Sequence, residues 1–203
     1  MDPIFRGTRV IPVLTIEREG DAVPLARALA RGGLGVIEVT LRTPAALAAI
    51  AAIARALPEA TVGAGTVLRA ADVTRARDAG ARFLVSPGLT GELAGAGLAS
   101  GVPYLAGAMT PSEVIAARDL GFSLLKFYPA AGAGGAATLL NYALVFAGTA
   151  FCPTGGVTAE NAGEYLRLPN VPIIGGSWMV PPDALAAGDW TTIEERVRQA
   201  ALL

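Results

Sequence analysis

Lys126 is the residue whose type and position most clearly suggest covalent chemistry. It is the single lysine of the chain, against 15 arginines, and it lies in the apolar segment 123–130, SLLKFYPA. Strand alternation places it on one face with Leu124 and Tyr128. Burial disfavours the ammonium form of an amine, and arginine cannot deprotonate in a protein, so this lysine could form a Schiff base with a ketone. A lysine that reaches solvent, or a plain ion pair with Glu38, would account for the same position.

Glu38 and Arg42 form a second candidate pair of functional side chains. In the segment 35–44, GVIEVTLRTP, alternation places both on one face of a strand and places Ile37 and Val39 on the other. A carboxylate inside a protein is costly unless it is paired, and near a substrate it can act as a general acid or base. An ion pair between Glu38 and Arg42 is the purely structural alternative.

Glycine-rich segments end three further predicted strands. The segment 63–66, GAGT, ends in Thr66, whose hydroxyl suits either a ligand contact or a turn. Glycine pairs at 155–156 and 175–176 end the seventh and eighth predicted strands. Glycines leave backbone N–H groups free to approach an anion, and phosphate commonly binds after the last two strands of a (β/α)8 barrel. The two pairs therefore predict a phosphate site.

Eight alternating strand and helix units would position these residues. Short apolar runs bounded by glycine, proline or polar turns predict strands at residues 10–15, 35–41, 61–67, 82–88, 102–109, 123–130, 149–156 and 171–180. Helices are predicted at residues 21–31, 44–57, 69–79, 91–99, 112–120, 135–146, 159–168 and 191–203, with Asp21 and Thr43 as N-caps of the first two.

This alternation predicts an α/β fold, a (β/α)8 barrel formed by residues 1–203 as a single domain. In such a barrel the functional groups come from the carboxyl ends of the strands. An open doubly wound sheet is the rival arrangement, but the turn at residues 16–20 lacks the glycine fingerprint of that fold.

The composition excludes several classes of function. The 203 residues have a net charge of −1, which does not indicate a nucleic acid or an anionic membrane as partner. No apolar run approaches the roughly 18 residues of a membrane span and no signal-peptide core is evident, so we expect a cytoplasmic protein. The absence of histidine excludes imidazole bases and histidine-bound metals, although carboxylates could still hold Mg²⁺. The single cysteine, Cys152, is predicted to be a small core residue.

Six motifs, in chain order, resemble the 2-keto-3-deoxy-6-phosphogluconate (KDPG) aldolases, a family that includes 4-hydroxy-2-oxoglutarate (KHG) aldolases. They are Glu38-Val-Thr-Leu-Arg42-Thr-Pro, Gly63-Ala-Gly-Thr66, Ser86-Pro-Gly88, Lys126-Phe-Tyr-Pro-Ala130, Phe151-Cys-Pro-Thr-Gly-Gly156 and Gly175-Gly-Ser-Trp178. The resemblance implies a class I aldolase on a (β/α)8 barrel, commonly a homotrimer, that acts through an imine and without a metal or other cofactor. The implied substrates are small keto acid phosphates: KDPG, cleaved to pyruvate and glyceraldehyde 3-phosphate, and also KHG, cleaved to pyruvate and glyoxylate.

The resemblance also implies a role for each matched residue. Lys126 would form the Schiff base, and Glu38 would transfer protons. The remaining roles are binding of the pyruvate carboxylate by Arg42 and Thr66, binding of phosphate by Gly155, Gly156, Gly175, Gly176 and Ser177, and lining of the pocket by Pro87 and Thr154. Three residues depart from the family pattern, namely Ala106, Ala131 and Tyr128, which replaces a common phenylalanine.

Two other functions are compatible with the same residues. A phosphosugar isomerase or epimerase would use Glu38 as its base and the glycine pairs for phosphate, with Lys126 inert. A non-catalytic barrel would bind phosphorylated sugars without turnover. The placement of Lys126 in line with Glu38 and Arg42 favours the aldolase over both.

Overall fold

The strands form a closed parallel barrel in the computed structural model of the chain, which describes residues 3–203. They are β1 (Val10–Leu14), β2 (Val36–Thr40), β3 (Thr61–Gly65), β4 (Leu84–Val85), β5 (Tyr104–Gly107), β6 (Leu124–Phe127), β7 (Ala150–Pro153) and β8 (Ile174–Gly176). Neighbours in sequence are neighbours in the sheet, and β8 pairs with β1. A parallel bridge between Thr154 and Gly175 joins β7 to β8 and closes the ring. The predicted (β/α)8 barrel is confirmed.

Helices follow the strands around the outside of the barrel. They are α1 (Glu19–Arg31), α2 (Ala46–Ala56), α3 (Ala70–Asp78), α4 (Gly91–Ala99), α5 (Pro111–Asp119), α6 (Gly135–Val145), α7 (Ala162–Leu166), α8 (Pro182–Ala187) and α9 (Trp190–Ala201). Among residues 3–203, no helix has both the length and the apolar composition needed to cross a membrane.

Several predicted element ends are wrong, and three of them have a clear physical reason. The strand predicted at residues 171–180 is only three residues long, because its apolar run continues through a turn into the unpredicted helix α8. Helix α1 begins at Glu19, and Asp21 pairs with Arg18 from inside the first turn. Helix α2 begins at Ala46, and the hydroxyl of Thr43 donates a hydrogen bond of 2.6 Å to the carbonyl of Ile16 instead of capping the helix.

Two apolar layers follow the predicted alternation of strand faces. Ile37, Val39, Leu125 and Phe127 point outward into the large layer between strands and helices. The opposite faces fill the barrel interior, where the buried apolar residues are Phe5, Ile11, Val36, Phe83, Val85, Leu105, Leu124, Cys152 and Ile173. The rings of Phe5 and Phe83 meet edge to face with centroids 5.3 Å apart. The lower half of the interior is therefore packed with side chains, as in other small barrels of this class.

The interior also contains two charged side chains, and one glycine makes room for them. Glu38 on β2 and Lys126 on β6 are both almost completely buried. A Cβ atom on Gly65, at the end of neighbouring β3, would collide with the Oε1 and Cγ atoms of Glu38. Gly65 thus allows the Glu38 side chain to lie across the barrel.

We expect Gly65→Ala to displace the Glu38 side chain. Its cost should be about 2–4 kcal/mol in the free energy of unfolding, from overpacking and from disruption of a buried charge pair. Denaturant titration of both variants measures the effect. The matched control is Gly35→Ala, where an added Cβ meets nothing within 4 Å. Equal stabilities of the two variants would contradict this account.

Candidate active site

A cavity of about 950 Å³ opens at the carboxyl ends of the strands. Its walls come from the end of β1 and the following loop, from Arg42, Lys126 and Tyr128, from residues 154–157 after β7, from residues 176–178 after β8, and from α8. This is the end of the barrel at which functional groups were predicted. The cavity can hold a small organic molecule several carbon atoms long.

A buried ion pair lies beneath this cavity. The Nζ atom of Lys126 donates to the two carboxylate oxygens of Glu38, at 2.9 Å to Oε1 and 3.3 Å to Oε2. Only 5% of the lysine side chain and 3% of the glutamate side chain is exposed. Glu38 and Arg42, which both lie within residues 3–203, do not form the alternative ion pair. The observed contact brings a primary amine and a proton acceptor into direct hydrogen-bond distance.

The residues beside Lys126 supply an apolar setting. Cys152 lies opposite it in register on β7 and is buried. Burial raises the pKa of the Cys152 thiol to about 12, although the positive charge of Lys126 acts in the opposite direction. The thiol is therefore neutral at physiological pH, and the prediction that Cys152 is a small core residue is confirmed. On the cavity side, the ring of Tyr128 lies 5.8 Å from Nζ, measured to its centroid.

Arg42 and Thr66 meet at one side of the cavity mouth. The Nε atom of Arg42 donates to the Thr66 hydroxyl over 3.1 Å. Thr66 has φ +56°, a left-handed backbone conformation that is rare for a β-branched residue and is found where the surroundings impose it, often at functional sites. This contact leaves the terminal nitrogens of the exposed Arg42 side chain available to a carboxylate, for which the planar guanidinium is well suited.

The two glycine pairs meet where β7 and β8 end. Gly155 and Gly156 have φ angles of +91° and +76°, which glycine adopts without strain. The side-chain amide of Asn161 donates to the carbonyl of Gly156 over 2.9 Å and holds this loop. Within residues 3–203, the N–H groups of Gly156 and Ser177 donate to no protein oxygen. Free N–H groups of this kind can bind an anion.

Most of the predicted site residues surround one cavity. Its walls include Arg42, Lys126, Thr154, Gly155, Gly156, Gly176 and Ser177. Glu38 lies behind Lys126, and Thr66 contacts Arg42. Gly175 is not in the wall but lies behind Thr154, whose hydroxyl occupies the space that a Cβ at 175 would need. Pro87 is also outside the wall, packed against Gly107 of β5.

The sequence reasoning missed one side of the cavity. Arg18 and Asp21 form an ion pair of 2.8 Å in its wall, and Arg18 also reaches the carbonyl of Ala186 on α8. Glu17 contributes as well. Their position directly after β1, at the end of the barrel where functional groups are expected, is the sequence signal that identifies them.

The arrangement has the parts needed for imine chemistry on a phosphorylated keto acid. The Lys126 amine has a proton acceptor in contact, the guanidinium of Arg42 lies at one side, and free backbone N–H groups lie at the other. Among residues 3–203, no three His, Cys, Asp or Glu side chains cluster as metal ligands.

Comparison with known proteins agrees with this geometry. The family model described as "KDPG and KHG aldolase" matches residues 1–196. A 2-dehydro-3-deoxy-phosphogluconate aldolase of Pseudoalteromonas atlantica is 46% identical over 197 residues, which is 97% of this chain and 92% of that protein. The KHG/KDPG aldolase of Escherichia coli is also 46% identical, over 94% of this chain and 90% of that protein.

A solved structure is also similar over nearly the whole chain. The crystal structure of KDPG aldolase from Legionella pneumophila, with pyruvate captured as a covalent carbinolamine intermediate, superposes with a TM-score of 0.94 at 44% identity. The match covers 96% of this chain and 95% of that one. With a family model over nearly the whole sequence and relatives well above 40% identity, the chain belongs to the KDPG and KHG aldolase family.

Proposed function

We propose that this protein is a class I aldolase that cleaves KDPG to pyruvate and glyceraldehyde 3-phosphate, and KHG to pyruvate and glyoxylate. The observation that carries the proposal is the contact of 2.9 Å between Lys126 and Glu38 at the base of the cavity. Relatives with these substrates in their names, and one with pyruvate bound as a carbinolamine, support it.

Arg42 and Thr66 orient the substrate by its carboxylate. The guanidinium pairs with both carboxylate oxygens, and the threonine hydroxyl, already in contact with Arg42, fixes its direction. This places the adjacent keto carbon above Nζ of Lys126. Orientation of this kind contributes a large part of the rate enhancement, because the keto carbon and the amine are held in a fixed relative position before they react.

Glu38 moves the protons of imine formation. It accepts a proton from the Lys126 ammonium, and the neutral amine then attacks carbon two. Two of the three ammonium protons pass through Glu38 to the keto oxygen, which leaves as water. The third stays on nitrogen in the protonated imine. No external acid or base is required, since Glu38 contacts Nζ directly.

Cleavage uses the same carboxylate. Glu38 takes the proton of the hydroxyl on carbon four, the bond between carbons three and four breaks, and its electron pair moves into the imine. The aldehyde departs, and the enamine takes the proton back from Glu38 at carbon three. Water then releases pyruvate from Lys126. Because the protonated imine accepts the electron pair, the proposed reaction uses no metal ion.

Borohydride trapping tests the imine. Incubation with pyruvate and sodium borohydride should attach one reduced pyruvate to Lys126, because trapping requires a reactive amine. Peptide mapping separates Lys126 from the amino terminus, and Lys126→Arg is the control that should remain unlabelled at this site. Turnover or binding of a phosphosugar without the adduct would instead support the isomerase or the binding barrel.

We also propose that Gly155, Gly156, Gly175, Gly176 and Ser177 form the phosphate site, with Thr154 and Pro87 shaping the pocket. The free N–H groups of Gly156 and Ser177 and the positive φ angles of the first pair support this role. Gly175 and Pro87 do not line the cavity. They pack behind its wall and act on the shape of the pocket through the residues in front of them. A Zymomonas mobilis relative, 44% identical with a TM-score of 0.91, has been solved with 3-phosphoglycerate.

Ser177→Glu tests the phosphate site. A negative side chain there should raise KM for KDPG by roughly 10-fold or more, as expected for loss of charge-assisted hydrogen bonds, and should change KM for unphosphorylated KHG much less. Steady-state kinetics on both substrates measure the split. Ser112→Glu, at an exposed position on α5, is the matched control. An equal rise in KM for both substrates would contradict the assignment of the phosphate site.

We propose further that the protein is a cytoplasmic homotrimer. Support for self-association comes from α6, whose outward face carries Ala137, Leu140, Leu144 and Val145 at helical spacing. Leu144 is 81% exposed, and residues 127–159 contain no charged side chain. An apolar, uncharged helix face of this kind is suited to a second copy of the chain, because it creates no charge repulsion between subunits.

Light scattering should therefore give three times the chain mass of 20.5 kDa. Leu144→Asp should shift the protein to smaller species, because it places a charge on the apolar face of α6. Leu98→Asp, at an exposed position of α4, should not change the mass. A wild-type mass equal to one chain would show the homotrimer proposal to be wrong.

A further inference from the structure

Tyr128 occupies the part of the cavity between the two ends of the proposed substrate. It directly follows β6, two residues after Lys126, and its ring centroid is 5.8 Å from Nζ. On its other side, a Cβ on Gly155 would lie only 3.0 Å from the ring. The tyrosine therefore spans the path from the imine nitrogen to the glycine loop of the phosphate site.

The order of residues around the barrel defines which substrate atoms pass Tyr128. The carboxylate is held after β2 and β3, carbon two is bonded to Lys126 on β6, and the phosphate is held after β7 and β8. Carbons three to five then cross the face of Tyr128. Carbon four is three bonds from Nζ, and the Tyr128 ring, centred 5.8 Å from Nζ, lies in the wall of the same cavity.

The Tyr128 hydroxyl is available for such a contact. Among residues 3–203 it has no hydrogen-bond partner. Two other tyrosines are different, because the hydroxyl of Tyr104 bonds to Ser86 over 2.6 Å and that of Tyr142 donates to the carbonyl of Met109 over 2.9 Å. Tyr128 is half-buried in the cavity wall, so its hydroxyl is open to the cavity and a bound substrate can supply the partner.

We propose that Tyr128 is a catalytic residue whose hydroxyl forms a hydrogen bond with the oxygen on carbon four. This oxygen is a hydroxyl in the substrate and becomes the aldehyde carbonyl in the product. While Glu38 removes its proton, Tyr128 donates to the same oxygen and stabilises the charge that develops there. The inference rests on the proposed aldolase function and adds a residue that acts only on the aldehyde half of the reaction.

Tyr128→Phe isolates the hydroxyl, since the ring is retained. We expect kcat/KM for cleavage to fall by roughly 3- to 10-fold, the usual effect of losing one neutral hydrogen bond, and to fall equally for KDPG and KHG. Exchange of the pyruvate methyl protons with D₂O requires the imine and enamine but no aldehyde. It should be unchanged, as should borohydride trapping. Tyr142→Phe, on α6, is the matched control.

Three outcomes would overturn the assignment. Unchanged cleavage of both substrates would show that the hydroxyl makes no productive contact. An equal loss of pyruvate exchange would show that the hydroxyl acts through Lys126 and the imine instead of through the oxygen on carbon four. A loss of cleavage confined to KDPG would indicate that the hydroxyl contacts the phosphate end of the substrate instead of the oxygen on carbon four. If the unmodified chain neither exchanges pyruvate protons nor cleaves either substrate, the aldolase proposal itself fails, and this assignment fails with it.

Discussion

The ion pair of Lys126 and Glu38 is the constraint on which the rest of the site depends. Two charges buried in an apolar interior are poor stabilisers compared with apolar packing, and either one alone would be strongly destabilising. The barrel accommodates them together by closing the sheet, which brings β2 and β6 face to face, and by omitting a side chain at Gly65. In the proposed reaction the same pair defines where carbon two of the substrate must lie, so the groups that bind the substrate must stand at fixed distances from it.

The two halves of the barrel interior differ: the lower half is a packed apolar core, and the upper half holds the cavity. Below Lys126 the interior is filled by apolar side chains, closed by Phe5 against Phe83 and including the neutral thiol of Cys152. Above it, polar groups surround an open cavity. The packed lower half keeps water from reaching the ion pair from beneath, and in such a setting electrostatic contacts are stronger than in water. The lysine therefore meets solvent and substrate only from the mouth.

The two ends of the cavity, at which we propose that the anionic groups of the substrate bind, differ in chemistry. Arg42 supplies a planar cation after β2, and the glycine loops supply neutral N–H groups after β7 and β8. A carboxylate suits the first and a phosphate suits the second. Tyr128 lies in the wall of the same cavity, beside Lys126, where we propose that it contacts the carbon–carbon bond that breaks. In the proposed function, the order of the strands around the barrel therefore separates recognition of the two substrate ends from the chemistry between them.

Sequence alternation by itself determined the eight strands, the inward and outward faces of β2 and β6, and the position of Lys126 inside the barrel, because these depend on periodicity within one element. It left open whether Glu38 pairs with Arg42 or with Lys126. That choice joins residues 88 positions apart, and only closure of the sheet decides it. Helix α8 was also missed, since an apolar run does not reveal where a strand ends and a turn begins. The charged wall after β1 was missed because the turn has no motif of its own, and only the closed barrel brings it beside Lys126. The strained backbone of Thr66 was likewise decided by tertiary contacts, which no local pattern records.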